Sequence, residues 1–213
     1  MAYTGDTTPD TRELSQLTIT KLSVGPSDNN AYLLRTTSTG EQLMIDAANE
    51  PDRLRDLIGD GGLATVVTTH RHADHWQGLA DVVRATGAES LAHPADAPSL
   101  PVVTRTVDEG ETIRVGDVSL EVIHLVGHTP GSIALLYRDP AGHPHLWTGD
   151  SLFPGGVGNT WGDPAAFASL FRDVSTKIFD RLPDDTWFYP GHGKDSTLGA
   201  ERPHLDEWRD RGW

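Results

Sequence analysis

The stretch Thr68–Leu79, TTHRHADHWQGL, decides how this chain is read. Three histidines and one aspartate, His70, His72, His75 and Asp74, fall within six positions. Imidazole nitrogens and carboxylate oxygens are donors that zinc-like ions take at about 2.0–2.2 Å, about four to an ion. His70 and His72 can reach one ion from the same side of a turn. Asp74 and His75 point elsewhere and suit a second ion. The preceding residues, ATVVTT, are β-branched and apolar and read as a buried strand. The following residues place Trp76, Leu79, Val82 and Val83 at helical spacing, and Gly87 stops that helix. The cluster thus falls where a strand ends, a place from which a rigid scaffold presents side chains to a cleft.

The pattern recurs further along the chain. GHTPGS follows the strand-like VSLEVIHLV, GDS follows HLWT, and GHG follows TWFYP. These clusters bring His128, Asp150 and His192 to strand ends, where they would complete both metal shells. Glycines 127, 149, 191 and 193 permit sharp turns and close backbone approach there. Two ions about 3.5–4 Å apart, bridged by one carboxylate, form a platform for hydrolysis. The remaining histidines fit plainer roles. His124 lies inside a strand and is expected packed, His143 and His145 flank Pro144 in a hairpin and are expected solvated, His204 is on a tail helix, and His93 is in a loop.

Outward from these clusters the chain alternates strands and helices. LTITKLSV, NAYLLRT and EQLMIDA read as strands separated by turns, and Pro51 opens a helix with Leu54, Leu57 and Ile58 on one face. SIALLYR and HPHLWTGD read as further strands. Asp163-Pro164 is an N-cap followed by an N1 proline, and the helix after it carries Phe167, Leu170, Phe171, Val174 and Ile178 on one stripe. Leu198 to Arg211 reads as a terminal helix. The expectation is one α/β domain over residues 17–213, two sheets packed together with helices outside, after a loose polar arm over residues 1–16.

Composition narrows the function. The 213 residues carry 31 acidic against 17 basic side chains, a formal net charge of −14. Such a surface repels phosphate backbones and anionic membranes, so no nucleic-acid or membrane partner is expected and a nuclease is disfavoured. The chain has no cysteine, which removes disulfides, thiolate zinc sites and a thiol nucleophile. No apolar leader is visible at the start and no apolar run reaches membrane-spanning length, so a cytoplasmic enzyme is expected.

With THRHADH, GHTPGS, TGDSLF and PGHG in place, the chain resembles the metallo-β-lactamase-fold hydrolases from about Leu17 to His192. The resemblance implies an αββα sandwich of two mixed β-sheets. HTPGSIAL and TGDSLFPGGVGNT are most similar to the glyoxalase-II-like branch, which cleaves thioesters. It implies that His70, His72 and His128 hold one metal, that Asp74, His75 and His192 hold the other, and that Asp150 bridges them. Asp46, closing LMIDA, resembles the family's aspartate behind the site. The implied cofactors are two divalent ions, zinc foremost, with iron or manganese as alternatives. Departures from the family are Val126 where proline is common, Asn159 and Thr160 where glutathione-using relatives carry an arginine, and only one helix after His192. Asn159 and Thr160 stand as the candidate substrate contacts.

The expected chemistry is metal-assisted hydrolysis of a small acyl substrate, a thioester or ester. Two cations lower the pKa of a bridging water toward about 7, and the resulting hydroxide attacks a polarised carbonyl. Asp74 orients the hydroxide and takes its proton as the catalytic residue. The main rival is a persulfide dioxygenase with one iron on His70, His128 and Asp150. A lactonase or β-lactamase is a lesser one.

Overall fold

The structure, a computed structural model, describes residues 8–212. Its first sheet has seven strands in sequence order: β1 (Asp10–Glu13), β2 (Leu17–Val24), β3 (Asn29–Thr36), β4 (Gln42–Ile45), β5 (Thr65–Val67), β6 (Glu89–Ala92) and β7 (Arg105–Thr106). Strands β1 to β4 pair antiparallel and β4 to β7 pair parallel. The second sheet builds on β8 (Thr112–Val115), β9 (Val118–His124), β10 (Ile133–Arg138) and β11 (Pro144–Gly149). A small hairpin, β12 (Leu152–Phe153) with β13 (Gly156–Val157), precedes β14 (Trp187–Pro190) and β15 (Ser196–Thr197). The order β15-β14-β11-β10-β9-β8 is antiparallel except for the β11–β14 pair. Both sheets are therefore mixed.

Strand periodicity explains the layering. Side chains alternate between faces of a strand, so a strand buried on both faces reads as a nearly continuous apolar run. In β2, Leu17 and Ile19 face the other sheet while Leu22 and Val24 face the helices. In β10, Ile133, Leu135 and Tyr137 face inward while Ala134 and Leu136 face out. The central layer joins these residues to Tyr32, Leu34, Trp147 and Tyr189. Helices α1 (Pro51–Ile58) and α2 (Leu79–Thr86) cover the first sheet through Leu54, Ile58, Leu79 and Val82. Helix α3 (Pro164–Asp173) covers the second through Leu170, joined by Val174, Ile178 and Trp208. The result is the αββα sandwich of two mixed sheets. Truncating a residue as enclosed as Leu135 to alanine would cost about 2–5 kcal/mol.

Several local expectations are corrected. The arm expected over residues 1–16 is not loose throughout: Asp10–Glu13 is an edge strand paired with β2, while residues 1–7 lie outside the described residues. His145, expected to be solvated, is fully buried, because β11 lies inside the second sheet between β10 and β14. Its Nδ1 meets the Tyr189 hydroxyl at 2.9 Å. The first helix after the histidine cluster begins at Leu79, since Ala73–His75 forms a separate 3₁₀ turn. The stripe from Phe167 to Ile178 passes from α-helix into a π-helical stretch, Val174–Phe179. The terminal helix is split into α4 (Leu198–Glu201) and α5 (Leu205–Arg211) by a 3₁₀ turn containing Pro203. Proline has no N–H for an i→i−4 bond, so the break falls at its turn. The expected cap of α3 is present: Asp163 accepts from Ala165 N and Ala166 N ahead of Pro164.

Candidate metal centre

The ends of β5, β9, β11 and β14 deliver the histidine and aspartate clusters to one edge of the sandwich. His70, His72 and His128 form one group and Asp74, His75 and His192 another, each with donor atoms within 4.8 Å of one another. His70 and His75 form a further such group with Asp150. His70 Nε2 lies 3.3 Å from His128 Nε2, and His75 Nε2 lies 3.2 Å from His192 Nε2. Two bonds of about 2.0–2.1 Å at a tetrahedral angle hold their nitrogens about 3.3–3.4 Å apart, so these spacings suit a shared cation. Asp150 Oδ1 is buried and accepts no hydrogen bond. An orphaned carboxylate oxygen facing imidazole nitrogens is what a cation would satisfy.

The histidine tautomers agree with this. His75 Nδ1 donates to Asp46 Oδ2 at 2.9 Å, His128 Nδ1 to the Asn159 carbonyl at 2.9 Å, and His192 Nδ1 to the Ser27 carbonyl at 2.9 Å. The Thr69 hydroxyl donates to Asp46 Oδ2 at 2.8 Å and so accepts from His70 Nδ1 at 3.1 Å. Each ring is held by Nδ1 and turns Nε2 toward the cluster, the arrangement that fixes a metal-binding histidine. Asp46 sits behind both His70 and His75. It is buried, has a left-handed backbone (φ 57°), and its Oδ1 accepts from Thr69 N at 2.7 Å.

Close packing reserves the space. A Cβ at Gly191 would lie 2.1 Å from Asp150 Oδ1, and one at Gly158 would lie 1.8 Å from the Asp150 carbonyl oxygen. Gly149 has φ 48°, and a Cβ there would meet Thr69 Oγ1 at 2.7 Å. Gly193 faces open space and serves only its turn, with φ 71°.

The electrostatics divide the site. Burial disfavours charge on His70, His72 and His128 and moves all three below the ordinary histidine value, His128 to about 4. Burial acts on His75 and His192 too, but Asp150 with Asp46, and Asp150 with Asp74, outweigh it and lift each to about 10. Burial would raise Asp150, yet the neighbouring His75 charge holds it well below the carboxylate range. Asp74 is also held low, first by His192 and further by Asn29, whose Nδ2 donates to Asp74 Oδ2 at 3.0 Å.

Other candidates fall elsewhere. Thr160 lines a cleft of about 600 Å³ beside His128, with Arg71, Val126, Pro130, Trp161 and Ala165. The Asn159 side chain is turned to the backbone, where it accepts from Trp161 N at 2.7 Å. His93 and His124, near Asp108, make a fourth group of donors within 4.8 Å. Their rings are stacked 3.8 Å apart at 23°, so the lone pairs lie in nearly parallel planes and do not converge. His93 Nδ1 is also taken by Ala95 N–H at 3.2 Å. His124, expected packed in its strand, is half-buried against His93.

Sequence reasoning missed three residues. Trp161 is 64% exposed, with φ 53°, and its ring lies 5.2 Å from that of His72 and 5.3 Å from that of His128. An exposed tryptophan after GVGNT is a visible signal for a cleft wall. Asn29 and Asp96 are buried polar residues with no motif to mark them.

Comparison with known proteins follows the same lines. The family model described as the metallo-beta-lactamase superfamily matches residues 24–192. The hydroxyacylglutathione hydrolase of Polaromonas sp. is 39% identical over 168 residues, covering 77% of this chain but only 62% of the relative's own length. That of Erythrobacter litoralis is 33% identical over 186 residues, covering 86% of this chain and 70% of the relative. Among solved structures, TTHA1623 in a di-iron-bound form is similar with a TM-score of 0.71 and 33% identity, over 85% of this chain and 96% of that one. ETHE1 from Myxococcus xanthus is similar with a TM-score of 0.78 and 27% identity, over 90% and 84%. With its fold, its strand-end donors and a family match over most of its length, the chain belongs to the metallo-beta-lactamase superfamily.

Proposed function

We propose that the chain is a metal-dependent hydrolase of thioester or ester bonds in a small acyl substrate, working with two divalent cations. His70, His72 and His128 hold one cation, Asp74, His75 and His192 hold the other, and Asp150 is shared. The observation that carries this reading is the placement of Asp150. Its Oδ2 lies 3.7 Å from His128 Nε2 and 3.4 Å from His192 Nε2, and its Oδ1 lies 3.4 Å from His75 Nε2. A carboxylate facing both groups is the bridge a two-cation site requires. The nitrogen and oxygen donor set favours zinc and is compatible with iron or manganese. The di-iron form of TTHA1623 and the hydrolase names of the relatives support the metal count and the bond class.

When bound, the cations supply a lowered pKa for water and a polarising charge for an acyl oxygen. The chain's residues do the remaining work. Asp46 and the Ser27 and Asn159 carbonyls hold the ring tautomers. Asp74, partly exposed and held anionic by its neighbours, accepts a hydrogen bond from the attacking water and orients it. Trp161 and Thr160 offer a wall for the body of the substrate, and Arg71 puts a cation on the same cleft. Among the described residues no helix is long and apolar enough to cross a membrane.

The test is elemental analysis together with thiol release from acyl thioesters by the zinc-reconstituted chain. Two equivalents of metal and thiol release support the reading. One pair of contacts favours a second reading: His128 Nε2 lies 3.3 Å from His70 Nε2 and 3.7 Å from Asp150 Oδ2, and these three residues make the two-histidine, one-carboxylate set of non-haem iron oxygenases. A single iron, oxygen uptake and no thiol release would establish that reading and overturn the first.

A further inference from the structure

We infer that Asp96 is a positioning residue for the metal centre, the tie that sets the three-histidine group. This rests on the metal reading above, and it adds a residue that lies outside every donor motif.

Asp96 comes from the loop after β6, and β6 pairs in parallel with β5, so both strands end at the same edge. Thr68 N donates to the Leu91 carbonyl there at 2.9 Å. Asp96 is 1% exposed, and its carboxyl group accepts from both halves of the sandwich. Its Oδ2 accepts from Arg71 N at 3.0 Å, the amide between His70 and His72. The same oxygen accepts from the Thr129 hydroxyl at 2.5 Å, and Oδ1 accepts from Gly131 N at 2.9 Å. Thr129 and Gly131 belong to the loop that carries His128 from the second sheet. One side chain thus fixes all three donors of one group relative to each other.

The fit is close and directional. The Ser132 and Thr129 hydroxyls lie 2.6 Å apart; because Thr129 donates to Asp96, Ser132 donates to Thr129. The Asp96 carboxyl therefore closes a relay, Ser132 to Thr129 to Asp96. A Cβ at Gly131 would lie 2.7 Å from Asp96 N and 2.8 Å from its Cγ, so glycine is what allows the loops to approach. Asparagine cannot replace the carboxyl without loss. Three donors point at its two oxygens, and an NH₂ in either place faces an N–H.

Two nitrogens about 2.0–2.1 Å from one ion tolerate little drift in the loops that carry them. Loss of a group that orients metal-binding histidines costs about 10- to 100-fold in affinity. The Asp74, His75 and His192 group takes its support from Asp46, which also backs His70 through Thr69, and from Asn29 and the Ser27 carbonyl, and none of the hydrogen bonds that provide this support involves Asp96.

The experiment is a zinc titration of the metal-free full chain against a competing chelator, with the equivalent that survives in Asp74→Ala assigned to the three-histidine group. Asp96→Asn should weaken that equivalent by about 10- to 100-fold and the other by less than about threefold. Thr129→Val, which removes one hydroxyl, carries the test if Asp96→Asn does not fold, with an expected loss of about tenfold. Thr129→Ser keeps the hydroxyl and should restore affinity. Equal weakening of both equivalents, or loss of thermal stability in Thr129→Val with unchanged zinc affinity, would overturn the role. The readout is binding, so failure to cleave thioesters with the affinity pattern intact would refute only the hydrolase reading. A wild-type chain that takes up no divalent cation would overturn both.

Discussion

The two donor groups share a residue type and an edge of the sandwich, yet they differ in what surrounds them. The His70, His72 and His128 group is dominated by burial, and its histidines are pushed toward the neutral form. The His75 and His192 pair stands among Asp46, Asp74 and Asp150, and both rings are lifted to about 10. The difference lies in the carboxylates, since desolvation acts in the same direction on every ring. At neutral pH the first group offers free lone pairs, whereas the second holds a proton between its two rings that a cation must displace.

The most direct consequence is a difference in pH dependence. Nearby carboxylates lift His75 and His192, but their Nε2 atoms lie 3.2 Å apart and can hold only one proton between them, so metal uptake there displaces that shared proton and its affinity rises with pH. Between pH 8 and pH 6 the zinc affinity of that group should fall by about 10²-fold, tenfold per unit for one displaced proton. The three-histidine group should change by less than about threefold over that range, because its histidines are already below their ordinary values. Competition titrations at several pH values, with proton release from calorimetry in two buffers, measure both slopes. Equal slopes would erase the contrast.

Asp150 is where the groups meet, so its removal should be the largest single-residue effect. Asp150→Ala should lower kcat/KM by about 10³-fold or more, beyond the 10- to 100-fold of an orienting group, and leave less than two equivalents of metal. Asp74→Ala strikes one group alone. It should remove one equivalent and lower the rate by about 10²-fold, the scale of losing a positioned base. Near wild-type turnover by Asp74→Ala with metal content unaltered would show that only one group matters, as in the single-iron reading.

The same division explains how much of the molecule was legible in its sequence. The seven donors could be read because they are rare residues clustered at the ends of apolar strands, and strand ends share an edge. Asp46 could be read only through the family resemblance, since its place at the end of LMIDA fits a turn residue as well. Asp96 and Asn29 could not. Each is a single polar residue whose partners lie 25 or more positions away, Arg71 for one and Asp74 for the other. Nothing local in HPADAP or DNNAY marks such a pairing. The strand β1 was missed for a related reason: DTRE has no apolar alternation, and its pairing with β2 is a tertiary fact. His145 was misplaced because Pro144 reads as a turn, while the sheet order that buries it comes from the parallel return of β14.

The smallest expected effect tests whether the substrate lies over one group or both. Trp161 touches His72 and His128 of the three-histidine group, while the described ring contacts of His75 and His192 do not include it. It is 64% exposed, so its side chain does little for the core, and surface substitutions of this kind change stability by about 0.5 kcal/mol or less. Trp161→Ala should therefore leave the metal content and the melting temperature nearly unchanged. A residue that binds ground state and transition state alike raises KM without changing kcat when it is removed. The expected outcome is a KM raised by about five- to tenfold for thioesters with an apolar acyl chain, about 1–1.4 kcal/mol of lost contact, and little change for acetyl thioesters. Its backbone supplies an internal control. With φ 53° the tryptophan occupies a conformation that glycine adopts freely, so Trp161→Gly should melt at or above Trp161→Ala while losing the same affinity. Equal KM values for long and short acyl chains in all three proteins would place the substrate away from Trp161, and so away from the three-histidine side.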